Sequence, residues 1–174
     1  MSKKIIELRN KWITVWKESL QLPNGTLIPE YYFVQKPDFV IIVPLTDSGK
    51  VIMLRQWRPI PNDYIYNLPM GFIEPTDRSP KSAAIRELKE EVNCESKQWI
   101  NLGTYWRAPS FLTTKAHFFL ALCEKNNLSG IPQDSKEDAF PEIMSLEKAS
   151  AFTTDLSSLT ALLLAQNWLE KRPR

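Results

Sequence analysis

The chain has 174 residues, enough for one domain with a small N-terminal extension, and its 43% hydrophobic and 24% charged content is that of a globular protein. The formal net charge is only +2 and no Lys/Arg block exceeds Lys3-Lys4. A surface that coats nucleic acid is therefore not indicated, while a small polyanionic ligand stays open. Two cysteines, Cys94 and Cys123, and one histidine, His117, give no disulfide framework, no zinc cluster and no multi-histidine metal site.

Met1-Ser2-Lys3-Lys4 leads into mixed, charged sequence without an apolar stretch, so no signal peptide is expected. No apolar run has the length of a membrane span. Reduced thiols then place the expected location in the cytoplasm.

Trp12-Ile13-Thr14-Val15-Trp16 alternates as a strand does. Leu20-Gln21-Leu22, Pro23-Asn24-Gly25 and Thr26-Leu27-Ile28 read as a hairpin in which Asn-Gly supplies positive φ angles. After Pro37 comes an apolar strand, Phe39 to Leu45. Asp47-Ser48-Gly49-Lys50 turns it back into Val51–Leu54, and a short strand follows near Ile65–Leu68. The first helix is predicted over Pro80–Val92. Ser79 is its N-cap, Pro80 takes the first helical position, and Ala84, Leu88 and Val92 form an apolar stripe. Asn93 supplies a left-handed stop. Strands are expected at 98–106 and 115–123, a polar loop at Asn126–Phe140, and a last helix from about Leu156 to Lys171. Strands, helix, strands and helix in that order predict an α+β fold, an α/β/α sandwich.

Chemistry concentrates at the first helix. Its exposed side is expected to carry Glu87, Glu90 and Glu91, spaced three and four apart and so on one face. Clustered like charges destabilise a helix, and a hard divalent cation would relieve that cost. Magnesium prefers oxygen ligands and joins carboxylates to substrate phosphates. Arg86, beside the cluster, can orient one carboxylate. A solvated Lys-Glu-Glu face is the competing reading of this stretch alone.

Residues 71–95 add a loop to that helix. Gly71, then Arg86-Glu87-Leu88-Lys89-Glu90-Glu91, resembles the metal-binding box of the Nudix hydrolase family. That box runs Gly, five residues, Glu, seven residues, Arg-Glu-aliphatic-any-Glu-Glu-any-Gly-aliphatic. Here Asp77 stands where the first Glu belongs, one residue is inserted near Arg78-Ser79-Pro80, and Asn93 replaces the last glycine. Arg55-Gln56-Trp57-Arg58-Pro59 and Asn67-Leu68-Pro69-Met70-Gly71-Phe72-Ile73-Glu74 resemble segments of the ADP-ribose/NDP-sugar pyrophosphatase branch. Pro109 and the N-terminal hairpin match it too. Pro29-Glu30 stands where that branch has Arg-Glu, and Asn67 where it has an acid; both departures bear on the choice of substrate.

The resemblance implies a Nudix-type α/β/α sandwich, with residues 1–37 as an N-terminal β-hairpin extension that dimerises and 38–174 as the hydrolase domain. It implies Mg²⁺ or Mn²⁺ held by Glu87, Glu90, Glu91 and the main-chain carbonyl of Met70. Glu91 and an acid from a later loop would be catalytic. Glu137 and Asp138 are the candidates for that acid; aligning Phe140-Pro141-Glu142-Ile143 with the family's next strand puts Ala139 there instead. Arg58 has the bidentate fork suited to a phosphate. Trp12, and Tyr31 or Tyr32, would stack on the base. His117 alternates with Ala116 and Phe118 in a strand and reads as structural. The implied reaction is hydrolysis of a nucleoside diphosphate linked to a sugar, releasing a nucleoside monophosphate and a sugar phosphate. Alternatives are a nucleotide-binding module that has lost hydrolysis, or a hydrolase of another nucleotide diphosphate. Expected partners are that substrate and a second copy of the chain, with no nucleic acid and no membrane.

Overall fold

The computed structural model describes residues 5–124 and 138–171, with the side chain of Glu124 left aside. The described residues fall into two compact units. One holds the chain up to Asp38 together with Tyr105–Ala116; the other holds Phe39–Thr104 and the described residues from His117 onward.

In the first unit, β1 (Ile5–Arg9), β2 (Thr14–Gln21) and β3 (Leu27–Gln35) form an antiparallel sheet in that order. The hairpin falls where the Pro-Asn-Gly signal places it, with Leu20 opposite Ile28 and Gln21 opposite Leu27. Its turn differs from the expectation. Only Gly25 has positive φ, at 89°, and its N–H reaches the Leu22 carbonyl at 2.9 Å. Pro23 and Asn24 thus fill the centre of an ordinary turn and Gly25 alone takes the left-handed position, as in three-residue hairpin loops. Trp16 stacks on Phe33 at 5.1 Å and is the buried anchor of this sheet. Residues 105–116 lie against β3, with Val34 exchanging bonds with Phe111 and Thr113. The sequence marked β2 too early, at Trp12, and missed β1.

The second unit is built on β4 (Phe39–Thr46), β5 (Val51–Arg58), β8 (Glu95–Trp106), β9 (Lys115–Glu124) and β10 (Ala139–Met144). They run in the order β10-β5-β4-β9-β8, with β6 (Asp63–Asn67) on β5 and β7 (Met70–Phe72) on β4. The central strands are apolar on both faces because helices cover both. Val40, Ile42, Ile52 and Leu54 pack with Ala83, Ala84, Leu88 and Val92 of α1 (Pro80–Val92) in one buried cluster. The alternate residues Ile41, Val43 and Met53 are equally buried and point the other way. On that side α3 (Leu156–Glu170) adjoins β4 and α2 (Leu146–Phe152) adjoins β5. The layering is the expected α/β/α sandwich.

α1 begins and ends where its sequence signals lie. Ser79 accepts the Ser82 N–H at 3.1 Å and its own N–H donates to the Ser82 hydroxyl at 2.8 Å, a reciprocal cap. Asn93 closes the helix at φ 45°, ψ 42°. Asn93→Ala should lower stability by roughly 1 kcal/mol, because alanine tolerates the left-handed region poorly, whereas Asn93→Gly should be neutral or slightly stabilising. Urea unfolding of the two variants checks this order. The loop expected over Asn126–Phe140 needs correction at its end: Phe140 lies in β10, paired with Arg55 of β5. Short strand β7 and helix α2 were also not foreseen. Their few residues carry little periodicity of their own, and neighbouring elements define them.

Candidate active site

The loop from β7 to α1 is organised by Arg86. Its guanidinium donates to Asp77 Oδ2 at 2.9 Å, Glu87 Oε1 at 2.7 Å, Glu90 Oε2 at 3.1 Å and the Phe72 carbonyl at 3.0 Å. One planar fork thus ties the start of the loop, its acid and two helix carboxylates together. Arg86 beside Asp77 holds the aspartate carboxyl below its ordinary range. Asp77 also accepts the Glu74 N–H at 2.9 Å, which closes the loop on itself. Asp77 is therefore a partner of Arg86 and of the loop backbone in this structure, a role that its place in the box did not reveal.

The three helix glutamates differ in environment. Glu90 is exposed, Glu91 is half-buried, and Glu87 is buried, its residue only 8% exposed. The expectation of an exposed Glu87 is corrected. The residue faces Gly71, where a missing side chain leaves room for its carboxylate, and the Arg86 charge compensates its burial. The like-charge penalty expected for the helix is relieved inside the protein by Arg86. Glu91 Oε2 accepts the Met70 N–H at 2.9 Å, so this carboxylate touches the backbone just before the glycine.

Strand β7 is placed from both sides. Met70 pairs with Ile41 and Gly71 with Val40. Just upstream, the Leu68 N–H donates to Ser158 Oγ at 2.9 Å. Ser158 is fully buried, and its hydroxyl donates to Asp155, the N-cap of α3, at 2.8 Å. A helix on the opposite face of the sheet thereby fixes the chain just before strand β7. Sequence reasoning missed Ser158; its only local signal is the Asp-x-x-Ser capping pattern.

The other expected residues sit as follows. Arg58 ends β5 opposite Asp63. In the first unit, Trp12 is 56% exposed with the Lys11 ammonium over its ring at 4.6 Å. Tyr31 donates its hydroxyl to the Ser110 carbonyl and packs on Phe33, while Tyr32 is exposed. Glu30, at one of the departures from the branch, pairs with Lys17 at 2.8 Å. Asn67, at the other, is buried and donates to Gln56 at 3.4 Å. His117 Nδ1 lies 3.0 Å from Thr104 Oγ1, a structural pairing. Glu137 lies outside the described residues. Asp138 accepts the Tyr64 hydroxyl, so its carboxylate serves the β5–β6 edge.

Arg86→Met should leave the Asp77 and Glu87 side chains, 7% and 11% exposed, without their cation. Because Arg86 itself is 24% exposed, the cost is discounted to roughly 2–3 kcal/mol from the buried-pair value. Thermal unfolding measures it. Arg86→Lys should recover less than half of the loss, since one ammonium cannot reproduce the fork.

This layered fold, with its glycine-started loop and carboxylate-bearing helix, has counterparts among known proteins. The NUDIX domain family matches residues 35–163. The chain belongs to the Nudix family and is a pyrophosphohydrolase of its ADP-ribose pyrophosphatase-like group. It is 31% identical over 134 residues to the ADP-ribose pyrophosphatase of Bacillus subtilis (strain 168), spanning 77% of this chain and 70% of that protein. It is 27% identical over 173 residues to the ADP compounds hydrolase NudE of Escherichia coli (strain K12), spanning 95% of this chain and 90% of that one. A crystal structure of an ADP compounds hydrolase shares the fold with TM-score 0.78 and 24% identity, over 97% of this chain and 95% of that chain.

Proposed function

We propose that the enzyme hydrolyses the diphosphate of a nucleoside diphosphate linked to a sugar, an ADP-sugar first of all, giving a nucleoside monophosphate and a sugar phosphate. The observation that carries this reading is the joining of Glu87, Glu90 and Asp77 through Arg86, with Glu91 on the Met70 N–H. The relatives' activity on ADP-ribose and ADP compounds supports the choice of substrate class.

Among the described residues, no three His, Cys, Asp or Glu side chains form a ready metal cage. Magnesium seldom needs one, since it keeps waters and takes one or two carboxylates plus substrate phosphates. Glu87, Glu90 and Glu91, with the Met70 carbonyl, are an all-oxygen donor set that fits Mg²⁺ or Mn²⁺. Such a cation, when bound, raises the acidity of a water and neutralises phosphate charge. Glu91 is then proposed to orient or deprotonate the attacking water, with Glu137 as the later acid. Arg86 joins the Glu87 and Glu90 carboxylates through bonds of 2.7 and 3.1 Å. Arg58 is proposed to grip a phosphate, and Trp12 and Tyr31 to stack on the base, in the last case with its hydroxyl already anchored.

Homodimerisation through the residues 1–37 extension accompanies this reading. Edge strand β1 exposes Ile5 (46%), Ile6 (41%) and Leu8 (50%), an apolar edge that proteins ordinarily cover. No helix among the described residues is long and apolar enough to cross a membrane, and a cytoplasmic location is proposed. The function is tested by a panel of nucleotide sugars, dinucleoside polyphosphates and oxidised nucleotides with Mg²⁺, Mn²⁺ or chelator. Monophosphate and sugar phosphate should appear from ADP-sugars only with metal. Absence of turnover across the sugar-linked substrates would overturn the reading.

A further inference from the structure

The corner between α2 and α3 grips the chain that runs from β6 into β7 at two backbone points. Thr153, the C-cap of α2, donates its hydroxyl to the Tyr66 carbonyl at 2.7 Å. Ser158, in the first turn of α3, accepts the Leu68 N–H at 2.9 Å. Both residues are buried. The corner itself fixes the direction of each bond. The ionised Asp155 carboxylate only accepts, and it takes both the N–H and the hydroxyl proton of Ser158, at 2.7 and 2.8 Å. The Ser158 oxygen is left with lone pairs for an incoming N–H. Thr153 accepts the Asp155 N–H at 3.2 Å and keeps its own proton for a carbonyl. In a reciprocal cap the third helical residue would return that bond to the N-cap N–H. Here Thr153 takes it over, and Ser158 is released to hold another part of the chain.

Two further bonds continue the path. The Pro69 carbonyl accepts the Ile42 N–H of β4 at 2.9 Å, and the Met70 N–H donates to Glu91 Oε2 at 2.9 Å. Residues 66–70 are thus tied in succession to the α2–α3 corner, to the central sheet and to α1 on the other face. We propose that Thr153 and Ser158 are positioning residues for the hydrolytic site. From the face opposite α1 they set the placement of Met70, whose N–H meets Glu91 and whose carbonyl belongs to the proposed metal donor set. This inference rests on the function proposed above. Their action passes along the backbone of Leu68-Pro69-Met70, where the proline ring fixes one of the intervening torsions and leaves little slack. Leu68 is fully buried, so its N–H without Ser158 has no water to turn to. An orphaned buried donor is costly, and the chain shifts to find it a partner.

The test compares Ser158→Ala and the isosteric Thr153→Val with Ala161→Gly, all in the full chain. The last loosens α3 at a buried position without removing either clamp hydroxyl. In both clamp variants the Met70 amide should exchange its hydrogen at least about tenfold faster than in the wild type, in step with the loss of one buried hydrogen bond. At saturating Mg²⁺, kcat should fall roughly tenfold, part of the 10²-fold that misplacement by an ångström costs, with KM for the nucleotide sugar held within about twofold. Mn²⁺ alone, followed by its paramagnetic resonance signal, should bind several-fold more weakly. Ala161→Gly should also melt lower, yet keep the wild-type kcat and Mn²⁺ affinity. Faster exchange confined to Leu68, or a kcat loss in Ala161→Gly that matches its loss of stability, would remove the positioning role. A wild type that turns over no nucleotide sugar would sink the proposed function and leave this inference to the other two readouts. Unchanged Met70 exchange and Mn²⁺ affinity in the clamp variants would then refute it. Should one clamp variant fail to fold, the other carries the same comparison.

Discussion

Glu91→Gln should cut kcat by about 10²–10³-fold while shifting the melting temperature by no more than a few degrees. The substitution keeps the size of the side chain. Its amide oxygen can still accept the Met70 N–H that now lies 2.9 Å from Glu91 Oε2. Packing near β7 therefore persists, and what disappears is the negative charge. Removing one preorganised electrostatic contributor typically costs rate on that scale. A Glu91 that merely caps the backbone would predict the opposite, an enzyme of near-normal turnover. Steady-state kinetics at saturating metal, beside a thermal melt, separate the two. Undiminished turnover would remove Glu91 from the catalytic machinery.

Gly71→Ala should be nearly as damaging to activity, for a steric reason. A Cβ at position 71 would stand 1.9 Å from Glu87 Oε1 and 2.1 Å from Glu87 Cδ. The backbone itself is not the obstacle, since Gly71 is absent from the positive-φ positions. The carboxylate is the free end of a side chain, so it can swing away. Doing so breaks its 2.7 Å bond to Arg86 and moves the group by more than an ångström. The expected stability loss is then modest, about 1–3 kcal/mol for overpacking. The expected rate loss is on the order of 10²-fold, because misplacement by an ångström is enough for that. Gly49→Ala supplies the contrast. Gly49 has φ 73° and open space around its Cβ position, so alanine should cost roughly 1–2 kcal/mol in backbone strain and leave kcat unchanged. Loss of activity in both variants, in proportion to stability alone, would reject the steric account.

What the sequence determined by itself was local. The bounds of α1 were legible because Ser79, Pro80 and Asn93 act through neighbouring backbone groups. The sandwich was legible from apolar runs at Phe39–Leu45 and Val51–Leu54, which only a sheet covered on both faces can bury. Gly71, Arg86 and the glutamates were legible as a motif by their resemblance to a known family. The tertiary structure decided what passes between elements. Glu87 is buried because Gly71 of another element leaves a space, and Asp77 serves Arg86 nine residues away. Ser158, far along the chain, fixes Leu68. Residues 105–116 join the first unit through β3 rather than the strands that carry them. In each case the deciding energy is a hydrogen bond or contact between residues that sequence spacing does not bring together. Such terms follow from the packed arrangement and are not encoded in local pattern.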